Sequence, residues 1–185
     1  NTQNRKKILM TGNVIWITGL SAAGKTTLAK LMTEYLRNSG QSVVMLDGDE
    51  LRAALGISSS AHSFEERLAL AYKYCRLARM IASQGVTVVV GAVALFKEIH
   101  DWNRKHLPGY FEVYLKVPLE ELRRRDPKGI YRRYDAGELE NVAGLDLKYD
   151  EPLKAEVILE YSSELQPTTV LKIVLEEYYK IKQEK

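Results

Sequence analysis

One cysteine in 185 residues, Cys75, leaves the chain without an intrachain disulfide to staple it and without a cysteine-rich metal site. It lies in an alanine- and leucine-rich helical stretch, where a buried structural thiol is expected. The three histidines, His62, His100 and His106, show no metal-ligand spacing with Cys75 or with an acidic cluster. Surface or packing roles are expected for His100 and His106, and His62 stays open between packing and ligand contact. No apolar run approaches the ~18 residues that would cross a bilayer. Ile8-Leu9-Met10, behind a basic start, is too short for a signal-peptide core. The expectation is a cytoplasmic protein with no membrane partner. The chain begins at Asn1 rather than Met, as a trimmed chain or a piece of a longer one would. Charge of one sign is also scarce, with a net charge of +3 and basic residues clustered only at Arg123-Arg124-Arg125 and Arg132-Arg133. That pattern suits a pocket for phosphorylated small molecules and argues against a nucleic-acid surface. Internal repeats and low-complexity segments are missing too.

What is present starts with Gly19-Leu-Ser21-Ala22-Ala23-Gly24-Lys25-Thr26, a complete G-x-x-x-x-G-K-[ST] loop, followed by Thr27. It stands directly after the apolar run Val14-Ile15-Trp16-Ile17 and directly before a helical pattern, the context that its mechanism needs. Glycines let successive backbone N–H groups face one anion-sized hollow, and the following helix adds its positive end. Lys25 can then reach the outer phosphates of a nucleoside triphosphate, and the Thr26 hydroxyl can ligate Mg²⁺. Gly19, Ser21, Ala22, Ala23, Gly24, Lys25, Thr26 and Thr27 are therefore the expected ATP-binding set.

Strand and helix patterns alternate along the rest of the chain. Strands are expected over Val14–Thr18, Ser42–Leu46, Val86–Val90, Tyr110–Val117 and Lys154–Leu159. Helices are expected over Lys25–Asn38, Phe64–Ser83, Phe96–His106, a segment opened by Pro118, and Thr168–Lys182. Val86–Val90 is nearly continuous in β-branched residues, as a strand buried on both faces should be. Such alternation predicts a three-layer α/β/α sandwich around a parallel sheet, with ligands at the strand C-termini. Residues 1–12 read as an N-terminal extension and 13–185 as a single domain. Within it, residues 126–151 are rich in glycine, charge and tyrosine without a clean period, and read as a mobile lid.

Phosphoryl transfer needs an acceptor, a group to orient it and cations for the spreading charge. Asp47 and Asp49 stand at the end of the second predicted strand, on the edge that faces the phosphate loop. Asp49 can accept a proton from an acceptor hydroxyl, and either aspartate can hold Mg²⁺ through water. Capping the next helix is the alternative for both. Spacing alone does not separate these roles. Arg123 is expected on a solvated helical face, whereas Arg125 can reach the base or phosphates of ATP when the lid closes.

The order of these landmarks resembles the adenylylsulfate kinase family, which phosphorylates the ribose 3′-hydroxyl of adenosine 5′-phosphosulfate. The residues that carry the resemblance are Gly19–Thr27, Leu46-Asp-Gly-Asp-Glu-Leu-Arg52, Asp126-Pro-Lys128-Gly-Ile-Tyr131 and Gly144-Leu-Asp146-Leu-Lys-Tyr149-Asp-Glu-Pro152. The resemblance covers about residues 13–160. It implies a P-loop kinase fold and an ATP- and Mg²⁺-dependent kinase with Asp49 as base and Lys25 as catalytic cation. It also implies Arg52 and Arg67 as acceptor-binding cations, and Lys128 and Tyr131 as lid residues that close on substrate. Metal support falls to Thr26 and Asp47. Members of the family are often dimers, so a homodimer is an expectation.

Departures from the family pattern gather on the acceptor side. Leu70 and Tyr72 stand where the family carries Asn and Arg, and His62 or Phe64 takes the aromatic position that would stack on adenine. After the third strand, Ala94 replaces Ser and Lys97 replaces Arg, losing the bidentate fork. Adenylyl sulfate is the expected acceptor, and cytidine diphosphoramidate, which relatives in bacterial capsule modification phosphorylate, is the alternative. A nucleotide-sensing module without turnover is the reading of another class, and the retention of Lys25, Thr26 and Asp49 argues against it.

Overall fold

Val14–Thr18 forms the central strand β1, and all five of its residues are β-branched or aromatic. The structure, a computed structural model, describes residues 11–57 and 63–184. β1 is buried along its whole length because it pairs in parallel on both sides, with β3 (Thr87–Gly91) and with β4 (Phe111–Lys116). β2 (Val43–Asp47) extends the sheet beyond β3, and β5 (Val157–Glu160) extends it beyond β4. The order is β2-β3-β1-β4-β5, parallel throughout.

Alternate residues of β1 face opposite sides, and each side has its own core. Ile15 and Ile17 pack with Leu28, Met32 and Leu36 of α1 (Lys25–Asn38) and with Val174 and Tyr178 of α7 (Pro167–Gln183). Val14 and Trp16 pack with Ala71, Cys75 and Ala78 of α3 (Phe64–Ala82) and Ile99 of α4 (Lys97–His106). Each fully buried Leu, Ile or Met side chain contributes roughly 2 kcal/mol by leaving water. The expected three-layer sandwich is what forms. Cys75 is buried, as expected, and burial pushes its thiol up to about 12, so it is inert at neutral pH.

Two short helices escaped the sequence pattern. α2 (Gly48–Ala54) starts directly after β2, with Asp47 as its N-cap accepting the Asp49 N–H at 2.9 Å. α5 (Leu119–Arg125) is the helix opened by Pro118, and α6 (Ile130–Asp135) follows within the expected lid. The Asp126 carboxylate holds the start of α6 by accepting the N–H groups of Tyr131 and Arg132. Tyr131 and Val142 are buried in the α1-side core, so the 126–151 segment carries core residues as well as exposed ones. Its expectation as lid without core is corrected in that respect. The physical cause is anchorage: a tyrosine ring too large to leave wet fastens the segment to the sheet.

Candidate active site

The phosphate loop leaves β1 at Gly19 and enters α1 at Gly24. A side chain at Gly19 would put Cβ 2.8 Å from the Leu115 carbonyl oxygen, so only glycine lets the loop pass β4 this closely. α1 opens at Gly24 (φ 100°) with no side-chain cap and no acid in its first turn, which leaves its positive end for an anion. Lys25 curls back over the loop and donates to the Leu20 carbonyl at 2.7 Å. Burial, then the neighbouring Lys128, pushes Lys25 down to about 7.

Beside the loop, the Thr26 hydroxyl donates to Asp47 at 2.6 Å. Asp47 is buried and uses its other oxygen to cap α2, so capping and metal support are compatible roles for one carboxylate. A hydroxyl next to a carboxylate is a hard-oxygen pair suited to Mg²⁺, which keeps several waters and shares ligands with phosphates. Among the described residues no group of three or more His, Cys, Asp or Glu side chains forms a complete metal cage.

Asp49, in the first turn of α2, is half-exposed and lies between two cations, Arg52 of the same helix and Lys128 from the segment after α5. Arg67 on α3 lies close enough to feel Arg52 and Asp146, and its own burial lowers its pKa. Tyr74 donates to the Gly48 carbonyl at 3.2 Å and pins the start of α2 to α3. Asp49, Arg52 and Lys128 thus come together, with Arg67 near Arg52. Tyr131 does not join them. Its hydroxyl donates to the Ser21 carbonyl at 3.0 Å while its ring is buried, so it braces the phosphate loop from below. The residue implied to close on substrate supports the phosphate loop in this arrangement, with its ring held in an apolar pocket.

On the other flank, Arg125 reaches the phosphate loop. It donates to the Ala22 carbonyl at 3.3 Å, lies 5.0 Å over the Tyr161 ring and is held by Glu121 at 2.7 Å. Glu121 is drawn down to about 2 by hydrogen bonds from Arg124 and Arg125. This group borders a cleft of about 240 Å³ lined by Leu28, Leu115, Val117, Leu159 and Val170. Sequence reasoning found Arg125 but missed Tyr161, which sits in an aperiodic loop between β5 and α7. The rule that ligands collect at the carboxyl ends of parallel strands was the signal that pointed there.

The acceptor-side departures also have places. Phe64 and Phe96 meet edge to face at 5.1 Å. Tyr72 packs edge to face on Trp102, Leu70 joins the α3-side core and Ala94 is buried there. Lys97 is exposed and paired with Asp101 at 2.6 Å on its own helix. His62 lies outside the described residues. His106 stacks on Trp102 at 4.6 Å, in keeping with a packing role.

A model of the family described as adenylylsulphate kinase matches residues 11–160. A cytidine diphosphoramidate kinase of Campylobacter jejuni is 38% identical over 80% of this chain and 86% of that protein. A probable adenylyl-sulfate kinase of Pyrococcus abyssi is 36% identical over 90% of this chain and 94% of that protein. Among solved structures, an adenylylsulfate kinase of Mycobacterium tuberculosis in complex with AMPPNP and APS superimposes with a TM-score of 0.83. It is 30% identical, and the match covers 92% of this chain and 99% of that one.

Proposed function

The chain belongs to the adenylylsulphate kinase family, and from that premise we propose that it moves the γ-phosphoryl group of ATP to the ribose 3′-hydroxyl of a nucleotide carrying a modified phosphate. Adenylyl sulfate is the first acceptor. The observation that carries this reading is the placement of Asp49 beside the phosphate loop, between Arg52 and Lys128 and next to the Thr26–Asp47 pair.

Asp49 accepts the proton of the acceptor hydroxyl and orients its oxygen for attack. Lys25 and the N-terminal end of α1 stabilise charge that spreads over the transferring group. Thr26 and Asp47 would hold a Mg²⁺ ion, which would supply positive charge to the phosphates. Arg52 and Arg67 draw the acceptor's phosphate side, and Lys128 moves from Asp49 onto the reacting phosphates as the substrates arrive. The cleft between Leu28, Val117 and Arg125 takes the base of ATP, with Tyr161 at its rim.

Cytidine diphosphoramidate is the second reading, favoured by the acceptor side. Tyr72, Ala94 and Lys97 are spent on packing or on a surface ion pair. Phe64 is partly exposed, with its ring edge to face on the buried Phe96, and such an apolar wall discriminates weakly between bases. The 38% identical relative is a kinase of that name.

The test is turnover with ATP and Mg²⁺ on each acceptor, read as ADP formation and product mass. Fast turnover of adenylyl sulfate supports the first reading, and turnover only of the diphosphoramidate transfers the assignment to the second. Turnover of neither points to a sensing module. Asp49→Asn is expected to lower kcat by roughly 10²–10⁴ with ATP affinity kept; normal turnover by this variant removes Asp49 as the base.

A further inference from the structure

Glu121 does not line the donor cleft, yet it is buried at 9% exposure on α5, behind the arginine that does. A buried carboxylate needs partners, and helical spacing supplies two of them three and four residues on. Arg124 meets it as a fork, with Nε donating to one oxygen at 2.6 Å and Nη2 to the other at 2.9 Å. That two-point pair fixes the plane of the carboxylate. Arg125 Nε donates at 2.7 Å to the oxygen that already accepts Nη2 of Arg124. The Tyr161 side chain lies beside the same carboxylate and beside Arg124.

Ion pairs one turn apart on an exposed helix contribute little and order little. This one differs in its far end. The Arg125 guanidinium is held by Glu121 at Nε, and at Nη1 it donates to the Ala22 carbonyl, 103 residues back in the phosphate loop. Two hydrogen bonds from different nitrogens of a planar group fix its plane, and the Tyr161 ring lies 5.0 Å from its centre. The Arg125 side chain is 31% exposed, so without the Glu121 contact it would gain rotamers that turn it to water.

We propose that Glu121 is a positioning residue for the donor, holding the Arg125 guanidinium at the rim of the cleft so that the base of a nucleoside triphosphate meets a preformed cationic plane. The proposal rests on the reading of that cleft as the donor-base site. Glu121 acts through Arg125 and touches no donor atom itself. A flat, weakly hydrated cation suits an aromatic base, and fixing it before binding removes an ordering cost from association. The base and the triphosphate are then served by separable parts of the site. Glu121 and Arg125 govern the base, whereas Lys25 and the N-terminal end of α1 govern the phosphates.

The experiment measures dissociation constants by calorimetry, with Mg²⁺ and without acceptor, for ATP and for inorganic triphosphate, which has no base. The proteins are the wild type, Glu121→Gln, Arg125→Ala and the double variant. Gln keeps the size of Glu, loses its charge and turns an NH₂ group toward arginine donors. Glu121→Gln is expected to weaken ATP about fivefold and Arg125→Ala about tenfold, with triphosphate within about twofold of wild type in both. The double variant is expected to match Arg125→Ala, because the two residues act as one unit; independent effects would multiply to about fiftyfold. A Glu121 that served only its helix would lower the unfolding midpoint and leave ATP affinity in place. Unchanged ATP affinity in Glu121→Gln, equal weakening of ATP and triphosphate, or a multiplicative double variant overturns the proposal. Should Glu121→Gln fail to fold, Arg125→Lys decides. It keeps the charge but loses the planar two-point hold, so it is expected to weaken ATP as Arg125→Ala does, and wild-type affinity in it overturns the proposal. Unchanged ATP affinity in Arg125→Ala removes the cleft as the donor-base site, and the proposal falls with that reading. An effect of Arg125→Ala without one of Glu121→Gln overturns the proposal alone.

Discussion

Lys25 shows how one side chain can carry the chemistry of the site. In the free enzyme, burial and the nearby Lys128 bring it down to about 7, with Asp47 opposing. At pH 8 the amine is mostly neutral. A bound triphosphate adds negative charge beside it and favours the protonated form, so binding must take up a proton. Calorimetry of ATP binding at pH 8 in two buffers of different ionisation enthalpy is expected to show uptake of nearly one proton per site. Uptake should fade below pH 6, where Lys25 is already charged; equal heats in the two buffers at pH 8 would contradict this. Tyr131 teaches the opposite lesson at the same scale. The lid motif marked it, yet its burial under Ser21 makes it a brace. Its destination depends on the hole it fills, which a sequence motif does not describe.

Among the elements, α3 announces its own start. Ser63 accepts the Glu66 N–H at 3.2 Å, and Glu66 accepts the Ser63 N–H at 2.8 Å, a complete capping box. Ser63→Ala is expected to cost about 1 kcal/mol of stability, read as a lower midpoint in urea with an unchanged slope. The donor flank is a second case. Arg125 at the end of α5 and Tyr161 after β5 meet only when α5 and the β5–α7 loop lie over the phosphate loop. Arg125→Ala should raise the KM for ATP by about tenfold and leave the acceptor KM in place. A rise in both, from steady-state kinetics, would place Arg125 in lid closure instead. α2 and α6, of seven and six residues, stayed hidden because so few turns give no measurable period. Local caps, Asp47 and Asp126, make them stable in context.

Over the whole molecule, a net charge of +3 conceals a concentrated field. Lys25, Arg52, Arg67 and Lys128 converge on one edge of the sheet, and the acids among them are Asp47, Asp49 and Asp146. Focused charge of this kind attracts polyanions and is screened by salt. KM values for ATP and acceptor should therefore rise several-fold between about 50 and 500 mM salt, with kcat less affected. Salt-independent KM values would argue that the field has no role in capture. The parallel sheet, its β-branched third strand, the phosphate loop and the Asp47–Asp49 pair were all legible in the sequence, because each depends on local pattern: period, turn chemistry and spacing. Tertiary structure alone decided that Lys128 meets Asp49 across 79 residues, that Tyr161 joins Arg125, and that His100 faces Glu112 and Asp150 at once. Those contacts arise where separate loops converge at the ends of parallel strands. No local pattern encodes them, because it is the packing of both sheet faces that brings such distant residues within hydrogen-bond reach.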